Sequence, residues 1–152
     1  MNNVAGVDVS KGKSVVSVLR PFGEVVAKPF SVSHTGSELK ELADYLNSLD
    51  GETRVVMEHT GRYYEPVARF LHEEGIFVSA VNPKLIKDYG NNSLRKVKTD
   101  KADARKIARY GLDNWGYNLQ NVQYRQSPPN PLPAEYSGQY LIYVAYSTYP
   151  QN

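Results

Sequence analysis

Four acidic residues stand where the sequence predicts that strands or helices begin or end. Asp8 lies in the apolar segment GVDVSK, and Glu58 follows directly after the apolar run TRVVM. Asp100 and Asp103 lie at the start of a helical pattern, where a spacing of three places both on one helix face. Because the apolar runs around Asp8 and Glu58 indicate that both emerge from a sheet, the four acids are candidates for one common site.

Carboxylates that cluster raise one another's pKa, and a bound cation relieves the repulsion. Mg²⁺ prefers carboxylate oxygens and keeps water molecules that substrate phosphates can replace, and Mn²⁺ shares this preference. Two such ions can stabilise the attacking and leaving oxygens of a phosphodiester. The sequence therefore predicts a site for Mg²⁺ or Mn²⁺ formed by Asp8, Glu58, Asp100 and Asp103.

Basic residues surround the last two aspartates. From Lys84 to Arg109 there are nine basic and three acidic side chains, a charge that suits a phosphate backbone. Taken alone, Asp100 and Asp103 have a simpler explanation, since acids are favoured at the N-terminus of a helix. The combination of acids, strand order and basic run favours the metal site, and it predicts nucleic-acid binding by Lys11, Arg95, Lys96, Lys98, Lys101 and Arg105.

The elements that must position these residues follow an α/β pattern. Residues 4–33 have the alternation and turn residues of three strands with short connections. A leucine-spaced helix follows, with Thr35 or Ser37 as its N-cap, and then a strand, a helix, a strand, a short helix and a final helix capped by Thr99. This order predicts a mixed sheet flanked by helices and fits a ribonuclease-H-like domain.

The bulk composition limits the class of protein. The chain has 152 residues, about the length of one domain, and a formal net charge of +2. It has no cysteine, which excludes disulfides and thiolate metal sites. The first residues lack the layout of a signal peptide, and no apolar run approaches a membrane span. We therefore expect a cytoplasmic protein without a membrane partner.

The composition changes near Trp115. Residues 115–152 hold seven of the twelve tyrosines and five of the nine prolines, but only two charged residues. We predict a domain at residues 1–114 and an atypical, poorly ordered tail at 115–152, which we interpret as the product of a shifted reading frame or a truncated gene. The alternative is a Pro-rich linker leading to one further strand.

Three segments resemble the amino-terminal domain of the DEDD-type insertion-sequence transposases of the IS110 group: GVDVSK, VVMEHTGRYYEPVARFLHEEGIFVSAVNP and VKTDKADARKIARYGLDNW. The resemblance implies a RuvC-like fold of the ribonuclease H superfamily and a magnesium-binding tetrad of Asp8, Glu58, Asp100 and Asp103. It also implies that a bridge RNA guides recombination, and that a separate carboxy-terminal domain supplies a serine that joins covalently to DNA.

Two departures from the family pattern bear on function. His59 stands where the family typically has a small residue, and the sequence after Trp115 does not resemble the family. The expected function is therefore that of a transposase amino-terminal domain that binds DNA and guide RNA but is inactive alone, with a homo-oligomer left open. The alternatives are a non-catalytic nucleic-acid-binding fragment and an actin- or sugar-kinase-like ATPase, against which the TDKAD pair argues.

Overall fold

A five-stranded mixed sheet forms the centre of the protein in a computed structural model. The structure describes residues 2–89, 100–116 and 119–124, and for residues 100–102 it describes the backbone alone. The strands are β1 (Asn2–Val9), β2 (Lys13–Arg20), β3 (Glu24–Ser33), β4 (Glu52–Glu58) and β5 (Phe77–Val81). Their order across the sheet is β3-β2-β1-β4-β5. The first three strands pair antiparallel, and β4 and β5 run parallel to β1, which confirms the predicted mixed sheet.

In the part of the chain that the structure describes, four α-helices flank this sheet, in the chain order that the sequence predicts. They are α1 (Gly36–Ser48), α2 (Tyr64–Glu73), α3 (Pro83–Asp88) and α4 (Asp100–Asp113). Of the two predicted caps for α1, Thr35 is the N-cap, and its hydroxyl accepts a hydrogen bond from the Glu38 amide at 3.3 Å. Thr99, the predicted cap of α4, lies outside the described residues. None of the helices that the structure describes is long and apolar enough to cross a membrane.

The alternation of side chains along the strands divides the core into two layers. On one face of the sheet, Ala5, Val7 and Met57 pack with the apolar stripes of α1 and α2. On the other face, Val4 and Val56 pack with Ile107 and other buried residues of α3 and α4. The sheet therefore lies between two helical layers, and we name the second side the α4 face.

Two glycines allow α4 to approach the sheet closely. A Cβ on Gly6 would lie 2.2 Å from the carbonyl oxygen of Ala104 and 2.4 Å from the amide nitrogen of Ala108. A Cβ on Gly111 would lie 2.6 Å from a methyl carbon of Val4. Since real Cβ atoms do not approach other atoms so closely, glycine is required at both positions. The contacts also show that α4 runs antiparallel to β1, with its N-terminus towards the carboxyl end of the strand.

The chain after α4 returns to the far edge of the sheet. The Arg54 guanidinium lies between the rings of Phe77 and Trp115, at 4.3 and 4.1 Å from their centroids. Beyond it, the Val122 amide donates to the Val78 carbonyl at 2.8 Å, and Val122 is buried. Packing therefore continues past the domain boundary predicted at residue 114. Residues 125–152, which form most of the predicted tail, lie outside the described part of the chain.

Candidate active site

Two of the predicted acids end neighbouring parallel strands. The register of β1 and β4 pairs Val7 with Met57, so the next position sets Asp8 beside Glu58. Both side chains belong to the α4 face, because they lie an even number of residues from Val4 and Val56, which pack against α4. The sheet backbone therefore places two carboxylates side by side at its carboxyl edge.

The third acid reaches this edge from the helix. Asp103 is the fourth residue of α4, and the contact of Ala104 with Gly6 sets the first turns of the helix over the end of β1. The side chain of Asp103 is half-buried there. Acids that are 45 or more positions apart in sequence thus lie at the same end of the sheet, because β1 and β4 are paired strands and α4 packs against them.

Asp8, Glu58 and Asp103 line one cleft between α3, α4 and the end of the sheet. The cleft has a volume of about 680 Å³. The rest of its lining comes from α3, the residue before it, and one further residue of α4: Asn82, Pro83, Lys84, Ile86, Lys87, Asp88 and Lys106. Carboxylates and ammonium groups therefore share a single opening, and both a cation and a phosphate have complementary partners within it.

The environment of Glu58 shows the electrostatic state of the cleft. Partial burial raises the pKa of this carboxyl, and the negative charge of Asp103 raises it further. A hydrogen bond from the Thr60 hydroxyl, at 3.5 Å, and the positive charge of Lys106 act in the opposite direction. A cation bound between the acids would offset both the desolvation and the repulsion that Glu58 experiences.

The donor chemistry fits a hard divalent ion, although the described side chains do not by themselves form a closed ligand cage. All three acids offer oxygen, the ligand atom that Mg²⁺ and Mn²⁺ prefer. Within the described residues, no group of three or more acidic, histidine or cysteine side chains is close enough together to hold a metal ion. Asp100, the fourth predicted ligand, is described only by its backbone, at the first position of α4.

The sequence matches the profile of a transposase family, the IS110 DEDD transposases, over residues 5–127. The chain belongs to this family. The match covers most of the chain, and it confirms the family that the three motifs indicate and decides against the ATPase alternative. It also identifies the chain as a domain for DNA transposition. No curated protein has significant sequence similarity to the chain.

Solved structures confirm the RuvC-like fold of this transposase domain. A Thermus thermophilus RuvC structure has a TM-score of 0.58 and 16% identity, and the match covers 79% of this chain and 99% of that one. A second structure, T. thermophilus RuvC in complex with Holliday junction substrate, has a TM-score of 0.56 and 15% identity, with coverage of 76% and 95%. At such identities the likeness concerns the fold alone.

The structure describes only some of the basic residues that the sequence predicts to contact nucleic acid. Lys11 is exposed in the hairpin between β1 and β2, two residues beyond the strand that carries Asp8. Arg105 is exposed on α4 but lies outside the lining of the cleft. The side chain of Lys101 is not described, and three further predicted residues lie outside the described part of the chain: Arg95, Lys96 and Lys98.

Sequence reasoning missed the lysines that line the cleft itself. Lys84 and Lys87 belong to α3, and Lys106 belongs to α4. The spacing of Asp103 and Lys106 was the available signal, because residues three apart lie on the same face of a helix. For Lys84 and Lys87 the sequence contains no comparable signal, since their position depends on how α3 packs after β5.

His59, which departs from the family pattern beside Glu58, makes structural contacts in the transposase domain. Its amide donates to the Val81 carbonyl at 2.9 Å, which extends the pairing of β4 with β5 by one residue. Its ring lies 6.4 Å from the ring of Tyr64, at the start of α2. The histidine therefore packs towards α2 without altering the strand that positions Glu58.

Proposed function

We propose that this chain is the RuvC-like domain of an IS110-type transposase, which binds DNA and a guide RNA and holds Mg²⁺ or Mn²⁺ through Asp8, Glu58, Asp100 and Asp103. One observation carries the proposal. Asp8, Glu58 and Asp103 come from three separate elements and line a single cleft. Carboxylates that converge in this way at the end of a sheet are the arrangement that metal-assisted phosphodiester chemistry requires.

The fold supports a rigid site. Asp8 and Glu58 stand on paired strands, and Asp103 stands on a helix held against Gly6, so the backbone positions of all three are set by packing. A divalent cation bound there would stabilise the negative charge that develops on phosphate oxygens during cleavage. The protein's own part is to hold this cation at the sheet edge, with the lysines of the cleft beside it.

The proposed partners are nucleic acids. The structural neighbour RuvC is bound to a Holliday junction, and a branched DNA is therefore the first substrate to test with this chain. The family resemblance adds a guide RNA. Both ligands are polyanions, and the cations around the cleft would release counterions when they bind, so affinity is expected to fall as salt rises.

The test replaces each acid by its neutral isostere in the 152-residue chain: Asp8→Asn, Glu58→Gln and Asp103→Asn. We expect each variant to lose Mn²⁺ binding by at least about 100-fold, together with any metal-dependent nicking of a four-way DNA junction that the wild-type chain shows. Asp44→Asn is the matched control, because Asp44 is an exposed acid on α1, on the opposite face of the sheet. Equal Mn²⁺ affinity in all four variants would refute the proposed site.

A non-catalytic nucleic-acid-binding fragment is the second candidate, and the lysines in the cleft favour it as much as they favour the enzyme. The same experiment separates the two functions. Junction binding without cleavage, unchanged in the three acid variants, would support the binding fragment and exclude metal-dependent catalysis.

A further inference from the structure

Lys106 lies in the cleft near three acids and forms no ion pair with any of them. It lies three residues after Asp103 and lines the same cleft as Asp8 and Glu58. Across the described residues, every ion pair within 4.0 Å involves other side chains. The ammonium nitrogen of Lys106 lies instead 3.4 Å from a neutral group, the carbonyl oxygen of Lys87 on α3.

This placement is informative because an ammonium group close to carboxylates ordinarily forms an ion pair with one of them. The Lys106 ammonium donates to the Lys87 carbonyl, which belongs to α3 at the border of the cleft. The charge of Lys106 still acts on Glu58, where it opposes the rise in pKa that burial and Asp103 cause. The cleft therefore holds, beside its acids, an ammonium group that forms no ion pair with them within 4.0 Å.

We infer that Lys106 binds the nucleic-acid phosphate that occupies the carboxylate site, and that Lys84 and Lys87, which line the same cleft, assist it. A phosphate in this position would lie near the acids that would hold the metal and near the ammonium of Lys106. This inference rests on the proposed function, since it assigns a substrate contact within the same site. Lysine suits the task because its ammonium is a mobile point charge with three donors.

The alternative role for Lys106 is that of a counterion that holds the acids together before metal binds. The two roles predict opposite effects on metal affinity. If Lys106 is a phosphate ligand, neutralising it removes a positive charge near the metal site, and Mn²⁺ affinity stays constant or rises. If Lys106 organises the acids, neutralising it disturbs them, and Mn²⁺ affinity falls.

The experiment uses the 152-residue chain with Lys106→Gln and Lys106→Arg, and Lys28→Gln as the control. Lys28 is an exposed lysine on the opposite edge strand β3. Mn²⁺ affinity is measured without DNA, and affinity for a four-way DNA junction is measured between about 0.05 and 0.2 M salt. For Lys106→Gln we expect undiminished Mn²⁺ binding and about tenfold weaker junction binding. The slope of log affinity against log salt should fall in magnitude by about 0.9.

Lys106→Arg should restore most of the affinity and the salt slope, and Lys28→Gln should match the wild type. Weakened Mn²⁺ binding in Lys106→Gln, or a salt slope and junction affinity equal to the wild type, would overturn the inference. A wild-type chain that binds neither Mn²⁺ nor junction DNA would instead refute the proposed function, and the inference with it. Thermal melting of each variant shows whether it is folded, and Lys106→Met, which removes the charge but keeps an unbranched side chain, gives the same comparison if the glutamine variant is not.

Discussion

At the scale of single residues, Glu58 carries a charge that its surroundings in the metal-free cleft disfavour. Its carboxylate is half-buried, and both desolvation and the nearby charge of Asp103 disfavour its ionised form. Neither interaction stabilises the folded protein when no cation is bound. The cation proposed to bind beside Glu58 would offset both effects in the folded state.

Neutralising Glu58 should stabilise the metal-free protein. In Glu58→Gln the amide removes the repulsion from Asp103 and the desolvation of a charge, so the free energy of unfolding should rise by about 0.5–1 kcal/mol. Chemical denaturation at pH 7 in the presence of a chelator measures this. A Glu52→Gln control, at the exposed start of β4, should change little. A loss of stability in Glu58→Gln would show that the Thr60 hydroxyl and Lys106 favour the carboxylate more than burial and Asp103 disfavour it.

His34 makes the fold sensitive to acid. Its Nε2 lies 2.7 Å from the buried Ser14 hydroxyl, and burial lowers the pKa of the imidazole below its usual 6.5. The unfolded chain therefore binds a proton more readily than the folded one. The stability that this site contributes is complete above about pH 6.5 and is lost as pH falls towards the folded pKa.

His34→Gln should remove this part of the pH dependence. The difference in unfolding free energy between wild type and variant should shrink with falling pH, by at most about 1.4 kcal/mol per pH unit. Urea titrations at several values between pH 7.5 and 5 give the comparison. A difference that does not change with pH would mean that His34 has the same pKa in both states.

At the scale of elements, the contact of α4 with β1 decides whether the acids meet. Gly6 leaves no space for a Cβ, because the atoms it would meet belong to the α4 backbone and cannot rotate away. The position of Asp103 relative to Asp8 therefore depends on a residue that has no side chain. Close packing of a helix on a strand is here a condition for the site.

Gly6→Ala should displace α4 and impair the site together with the fold. We expect a loss of roughly 2–3 kcal/mol in stability, as for an overpacked core, and weaker Mn²⁺ binding in the protein that remains folded. Gly36→Ala is the matched control, because a Cβ there meets nothing within 4 Å and the position opens α1. The control should be neutral or more stable by up to about 1 kcal/mol. If both alanines behave alike, the close approach of α4 is not required.

At the scale of the whole molecule, the chain beyond α4 is part of the folded unit. Leu119 and Val122 are buried, and the ring of Tyr124 lies 5.2 Å from the ring of His72 on α2. The family match extends over the same segment, to residue 127. The described residues after α4 therefore complete the edge of the sheet at β5.

Val122→Ala should destabilise the domain by about 1–2 kcal/mol, because it removes two buried methyl groups. Gln123→Ala, one position further along and exposed, should stay within about 0.5 kcal/mol of the wild type. Thermal melting of the two variants gives the comparison. Equal melting temperatures would mean that the segment contributes nothing to the fold, as the predicted boundary at residue 114 implies.

The 152-residue polypeptide by itself is expected to bind DNA and at most to nick it, with water as the nucleophile. The family resemblance assigns the serine nucleophile of strand exchange to a domain outside residues 4–115. Strand exchange further requires a surface for a guide and two duplexes, and specific DNA interfaces bury about 1,000–2,500 Å² of protein each. The assay combines the chain with Mg²⁺, guide RNA and both DNA sites. Exchange products or a covalent protein–DNA adduct would contradict this expectation.

The sequence by itself determined the family, the element order and the candidate acids. Apolar alternation and helical spacing are local signals, and strand-end acids such as Asp8 and Glu58 are visible in them. The motifs around these acids are long enough to identify the family, which the profile match confirms.

Only the tertiary structure decided which cations share the cleft and where the fold continues. Lys87 lies there because α3 packs beside α4, and Val122 is buried because the returning chain pairs with β5. Both placements arise from contacts between residues far apart in sequence. Composition near residue 115 suggested a boundary, but composition is an average over many residues, whereas burial of Leu119 and Val122 depends on the few that meet the sheet.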